Sequence, residues 1–117
     1  MARYYLLPVG FRVCLRLVRP RDEAGVARLF WINGREPDQL ALARLLRFDP
    51  GRISICATAL VEGMETVLGI GVIDLTPGAP AAPELVLVDE SAGPGLDELL
   101  SEALRGRAAA LARNRVA

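Results

Sequence analysis

The sequence predicts an α/β (α+β) domain of order β-α-α-β-β-β-α, with a mostly antiparallel central sheet flanked by helices. Three observations predict it. A stretch of period two near the N-terminus gives way to two apolar stripes at helical spacing. Two long apolar runs then face each other across a turn signal. A short apolar run leads directly into a long amphipathic helix.

Residues 1–10, "MARYYLLPVG", read as an N-terminal arm or an additional strand, closed by the turn signal "PVG". "FRVCLRLVRP" alternates, with Phe11, Val13, Leu15 and Leu17 on one face and Arg12, Cys14 and Arg16 on the other. That is a strand with one buried face, ended by Pro20. Asp22 suits the N-cap of a first helix, whose stripe is Val26, Leu29, Phe30 and Ile32 and whose stop is Asn33-Gly34. In "REPDQLALARLLRF" Pro37 fits a first helical turn, Glu36 and Asp38 favour the positive end, and Leu40, Leu42, Leu45, Leu46 and Phe48 form the apolar side.

"ISICATALV" and "TVLGIGVIDL" are two strands joined through "EGME", most simply as an antiparallel hairpin. Gly69 and Gly71 fall at alternate positions of the second strand and strip two side chains from one face. A bulge, tight packing or close approach of a ligand each explain such glycines. "TPGAPAAP" is a loop. "ELVLV" reads as a strand in the middle of a sheet covered on both faces. After "ESAGPGLD", a helical stripe runs through Leu96, Leu99, Leu100, Ala103, Leu104, Ala108 and Leu111, with Arg105, Arg107 and Arg113 toward its negative end.

At 117 residues, 52% of them hydrophobic, the chain is sized for a single domain, 1–117, with its own core. Fourteen basic residues balance fourteen acidic ones, so charge points to neither a nucleic-acid nor a membrane partner. All the basic residues are arginine. Without histidine or lysine there is no Ser-His-Asp or Cys-His site, no histidine metal ligand, no Schiff base and no phosphate-loop lysine. Cys14 and Cys56 are too few and too far apart for a disulfide framework or a zinc knuckle, and read as free thiols. With no secretory h-region and no apolar run of membrane-spanning length, a cytoplasmic location is expected. The Ala, Leu, Arg, Gly and Pro richness fits a GC-rich bacterial genome.

Three stretches in this order resemble the GNAT superfamily of acyl-CoA-dependent N-acetyltransferases, and within it the bacterial domains similar to protein-lysine acetyltransferases. "PVGFRVCLRLVRPRDEAGVARLF" is similar to the family's opening strand and its "R-P-x-D" lead into the first helix. "LLRF" at 45–48 is similar to the close of its second helix. "LVDESAGPGLDELL" stands where the family has a strand ending in Val-Asp, then Gln/Arg-x-x-Gly-x-Gly/Ala at a helix start. The resemblance implies acetyl-CoA as cofactor, its pyrophosphate held by loop amides and the helix dipole, with contacts at Val88, Gly93, Gly95, Leu96 and Asp97. Keeping the helix in phase puts Ala92, Gly95 and Asp97 on the three motif positions; a shift by two puts Glu90, Gly93 and Gly95 there. Neither register supplies the Gln or Arg.

The resemblance also implies Glu84 as a catalytic general base, set against the plainer reading of a polar residue at a strand start. Tyr4 and Tyr5 are the only tyrosines and stand far from where the family places its tyrosine acid. Asp89, Glu90, Asp97 and Glu98 lie close together along the chain, and a carboxylate about 4 Å from a phosphate oxygen costs roughly 4 kcal/mol at an effective dielectric of about 20. Asp97 as an N-cap would occupy the amides a pyrophosphate needs, and Pro94 removes a donor. The family's later strand-helix-strand is absent from this sequence, so one sheet edge and part of one face are expected to be covered by a second chain, by the N-terminal arm "ARYYLLP", or by the rest of a longer protein. The expectation is a degenerate, non-catalytic GNAT-like module for binding, regulation or assembly. The alternative is an acetyl-CoA-dependent N-acetyltransferase whose cleft a partner subunit completes. A homodimer or higher assembly is expected, with Tyr4, Tyr5, Leu6, Leu7 and Trp31 at its interface.

Overall fold

The computed structural model describes residues 2–8, 10, 12–78 and 82–116, with side chains to 113. The N-terminal arm is a strand, β1 (Ala2–Leu6), followed by β2 (Arg12–Leu17), α1 (Glu23–Ile32), α2 (Gln39–Leu46), β3 (Arg52–Val61), β4 (Met64–Asp74), β5 (Leu85–Val88) and α3 (Leu96–Val116). The five strands form one sheet in sequence order, each antiparallel to the next. This is the antiparallel α+β arrangement the sequence predicts. The face assigned to Phe11 lies outside the described residues, as does the middle of the 76–83 loop.

The sheet divides two cores. On one side α3 lays Leu96, Leu100 and Leu104 over Val13, Leu15, Ile55 and Ala57. On the other, Val26, Leu29 and Phe30 of α1 and Leu42, Leu45 and Leu46 of α2 meet Cys56, Val67, Ile70 and Val72. Burial of each such aliphatic side chain stabilises the fold by about 1.5–3 kcal/mol.

The two strand glycines have a packing explanation. A Cβ on Gly69 would stand 2.8 Å from Leu100 Cδ1, and one on Gly71 would stand 2.6 Å from Leu104 Cδ1. Both are closer than carbon atoms can approach, so α3 rests directly on strand backbone. On the opposite face, a Cβ on Gly25 of α1 would lie 2.7 Å from Val67 Cγ2. The β3–β4 register shifts where Ala57 faces Gly69 but Thr58 faces Val67, so Leu68 is an extra residue on β4. This bulge turns Leu68 toward α3 and leaves Val67 for α1. The hairpin ends in a tight two-residue turn, Glu62–Gly63, with φ of 52° and 79°. Positive φ at both positions is the type I′ geometry that suits the strand twist, and it makes the connection shorter than "EGME".

Several positions depart from the period-based reading. Ile32 and Leu17, assigned to buried faces, are exposed at the ends of α1 and β2. Leu40 and Phe48 are 77% and 92% exposed, since α2 ends at Leu46 and only one narrow stripe of it reaches α1 and the sheet. That helix starts after Pro37, with the Asp38 carboxylate accepting from the Leu40 amide at 3.0 Å. β5 is at the sheet edge among the described residues instead of in its middle, and Leu87 is its one buried side chain. Leu7, expected at an interface, is buried in the chain's own core.

Gly71→Val should lower stability by about 1–3 kcal/mol through overpacking against Leu104. Urea unfolding measures the loss, and adding Leu104→Ala should recover part of it; purely additive losses would show that the pair is not in contact.

Candidate functional site at the β5–α3 junction

The junction is held from three directions. At its start, the Asp89 amide donates to the carbonyl of bulge residue Leu68 at 2.8 Å. The Asp89 carboxylate accepts from the Ser91 amide at 3.0 Å and the Ser91 hydroxyl at 2.7 Å, which shapes a 3-10 turn over Glu90–Ala92. Burial would raise the Asp89 pKa, but the Ser91 bonds and the Arg28 guanidinium outweigh it and hold the carboxyl below its usual range. From α1, Arg28 Nη2 pairs with Asp89 Oδ2 at 3.0 Å and also donates to the Val67 carbonyl. Asn33 Nδ2 donates to the Val88 carbonyl at 3.1 Å. From the β1–β2 turn, the Pro8 ring packs over Gly95, 3.5 Å from where a Cβ would stand.

Gly93 and Gly95 both have positive φ, 86° and 99°, and the sharp path through "AGPG" depends on it. Gly95 is the N-cap position of α3, its carbonyl accepting from the Leu99 amide at 3.0 Å. Asp97 therefore sits inside the first turn and is exposed, so the N-cap role expected for it falls to a glycine. Among the described residues nothing accepts from the amides of Leu96, Asp97 and Glu98, and the helix start presents open donors. Leu96 contributes only backbone there, since its side chain is buried against Gly69.

α1 is positioned by a residue that reasoning from period two sends to solvent. Arg16 of β2 is 5% exposed. Its Nη1 and Nη2 each reach Asp22 at 2.8 Å, and Nη2 also reaches Glu65 Oε1 of β4 at 2.6 Å. Asp22 additionally accepts from the Arg19 amide at 2.7 Å. It thus fixes the turn before α1 and ties it to β2, and makes no side-chain bond that caps α1. The Asp22 bonds raise the Arg16 pKa further above its ordinary range. Burial would raise the Asp22 pKa, and the Arg16 and Arg19 bonds reverse that and lower it. Beside the pair, burial pushes the Cys56 thiol up to about 12, so it is no nucleophile at neutral pH. An arginine in a strand, followed six residues later by the aspartate of "R-P-x-D", was the available signal for this pair.

The expected site residues do not converge in a cleft. Val88, Gly93, Gly95, Leu96 and Asp97 share the junction. Glu84 lies at the opposite end of β5, its amide bonded to the Val72 carbonyl at 2.8 Å and its side chain exposed and unpaired among the described residues. Five depressions of about 400 to 780 Å³ lie elsewhere on the surface, and none of the five is lined by residues 84–98. Among the described residues no three Cys, Asp or Glu side chains gather as metal ligands, and no helix is long and apolar enough to cross a membrane.

No protein-family model matches the sequence, and no curated protein does. The GNAT domain of S. lividans PAT superposes with a TM-score of 0.66 over 97% of this chain and 73% of that chain, at 18% identity. The chain has the GNAT fold.

Asp22→Asn should cost about 3 kcal/mol at neutral pH, because it leaves Arg16 buried without its main counter-ion. The folded Asp22 pKa is lowered, so its contribution is complete above the unfolded value of about 3.9 and is lost as pH falls through the folded one. Urea titrations at stepped pH should show wild type and variant converging below about pH 4; a constant gap down to the acid unfolding of the wild type would sink this account.

Proposed function

We propose that this chain is a GNAT-fold domain that does not transfer acetyl groups by itself and serves as a binding, regulatory or assembly module. One observation carries the reading. Glu90, Asp97 and Glu98 stand exposed around the open helix start, and none of them forms an ion pair among the described residues. The cation that α1 brings to the junction, Arg28, is engaged by Asp89. An anionic acyl carrier would meet three uncompensated carboxylates; with water around them each costs about 1 kcal/mol at close range, and together they offset the about 0.3–1 kcal/mol that a helix dipole returns at an exposed end. The exposed, unpaired Glu84 supports the same reading, as a general base works from a cleft where a substrate proton is within reach. Two free thiols fit a reducing, cytoplasmic setting.

A second reading has its own observation. The amides of Leu96, Asp97 and Glu98 have no acceptor among the described residues, which is what a pyrophosphate would require, and the chain shares its fold with the GNAT domain of S. lividans PAT. On that reading the chain is an acetyl-CoA-dependent acetyltransferase whose cleft a partner subunit completes.

Calorimetric titration with acetyl-CoA separates them. The native chain should show no saturable binding, and the Asp97→Asn/Glu98→Gln variant should gain it if charge is what excludes the ligand. Micromolar binding by the native chain would overturn the proposal in favour of the second reading.

A further inference from the structure

We infer that β1 is a dimerisation edge, through which two copies of this chain join their sheets antiparallel about a two-fold axis at Tyr4. β1 pairs in unbroken register with β2, Ala2 to Arg16 through Leu6 to Arg12, and its other side has no partner among the described residues. Edge strands that stay single are blunted by proline, a bulge, several charges or a covering segment. Among the described residues β1 has none of these: it is a regular five-residue strand with one charge, Arg3, while Tyr4 and Leu6 are 66% and 74% exposed. The other edge differs. β5 has four residues, and the Val88 carbonyl at its end is taken by Asn33.

A second copy is the occupant that the strand itself specifies. Residues directly opposite in a sheet point to the same face, and a two-fold axis normal to the sheet preserves faces. A residue must therefore face one of its own parity, and the axis must pass beside a residue paired with its own copy. Centring on Arg3 sets two guanidinium groups against each other. Centring on Tyr5 runs off the strand, which ends at Leu6. Centring on Tyr4 uses all five residues: Tyr4 meets its copy, Ala2 meets Leu6, and Arg3 meets Tyr5. Each guanidinium then lies beside an aromatic ring, an arrangement this chain already makes where Arg12 stands 5.4 Å over Tyr4. Tyr5 and Arg3 also line a depression of about 420 Å³ against α3, whose rim carries Glu102 and Arg107, so charge there is mixed and does not repel an approaching copy. A net charge of zero leaves no long-range repulsion between copies. The product is one continuous ten-stranded sheet with α3 of both copies on the same face, and it stands whether or not the junction binds an acyl carrier.

Sedimentation of the full chain at tens of micromolar should give a dimer. Tyr4→Glu should weaken it about tenfold or more, and mixing Tyr4→Glu with Tyr4→Arg should restore a heterodimer. Cross-linking reads the register directly. Because Cys14 faces residue 4 across β1–β2, it is first replaced by Ser. In that background Tyr4→Cys should form a disulfide with its own copy, whereas Leu6→Cys should cross-link with Ala2→Cys and not with itself. A monomeric wild type, a dimer indifferent to Tyr4→Glu, or a Tyr4→Cys variant that stays uncross-linked would each overturn the inference.

Discussion

The bidentate pair between Arg16 and Asp22 is the contact on which the geometry of this domain turns. Two charges withdrawn from water are costly, and such pairs rarely add much net stability over a well-packed apolar alternative. What this pair adds is position. It joins the second strand to the turn before α1, and through Glu65 it reaches β4 as well. α1 is thereby fixed at its start, and ten residues later its far end brings Asn33 to the last carbonyl of β5. Arg28, midway, meets Asp89 and the Val67 carbonyl. A buried ion pair near one edge of the sheet thus orients groups at the other.

Much of the framework was legible in the sequence because it follows from period and punctuation. Val13 and Leu15 alternate with polar neighbours and are buried; Leu96, Leu100 and Leu104 recur at helical spacing and face the sheet. Turns fell where glycine, proline and asparagine stood. What was not legible depended on partners distant in sequence. Arg16 occupies a position that alternation assigns to water, and only a folded chain brings Asp22 and Glu65 around it. Leu40 and Phe48 look apolar enough to be core, yet α2 offers only a narrow stripe for burial and ends before Phe48. β5 has the composition of a central strand and occupies an edge, since composition reports how apolar a strand is and not how many neighbours it has.

The junction illustrates the same division. Its glycines were readable, as was the density of acidic residues around them. The assignment of Asp97 as a cap failed by two residues, because Gly95 can adopt the positive φ that the entry to α3 demands and an aspartate there would be strained. Arg28 was invisible from the local sequence: it stands sixty-one positions before Asp89, on a helix whose placement the Arg16 pair determines. Local chemistry can be read from a local stretch, but compensation of its charge cannot.

The bare backbone beneath α3 has a consequence for how such a junction can change over time. Because two leucines of the helix meet glycine backbone, the depth and pitch of α3 are set by the floor of the sheet and by the bulge at Leu68, which also holds the Asp89 amide. The loop between them inherits its path from both ends. Its exposed charged side chains contribute little to that path, so substitutions at Glu90, Asp97 or Glu98 carry little structural penalty. A scaffold of this kind lets the charge of a loop change by drift alone while the loop keeps its shape.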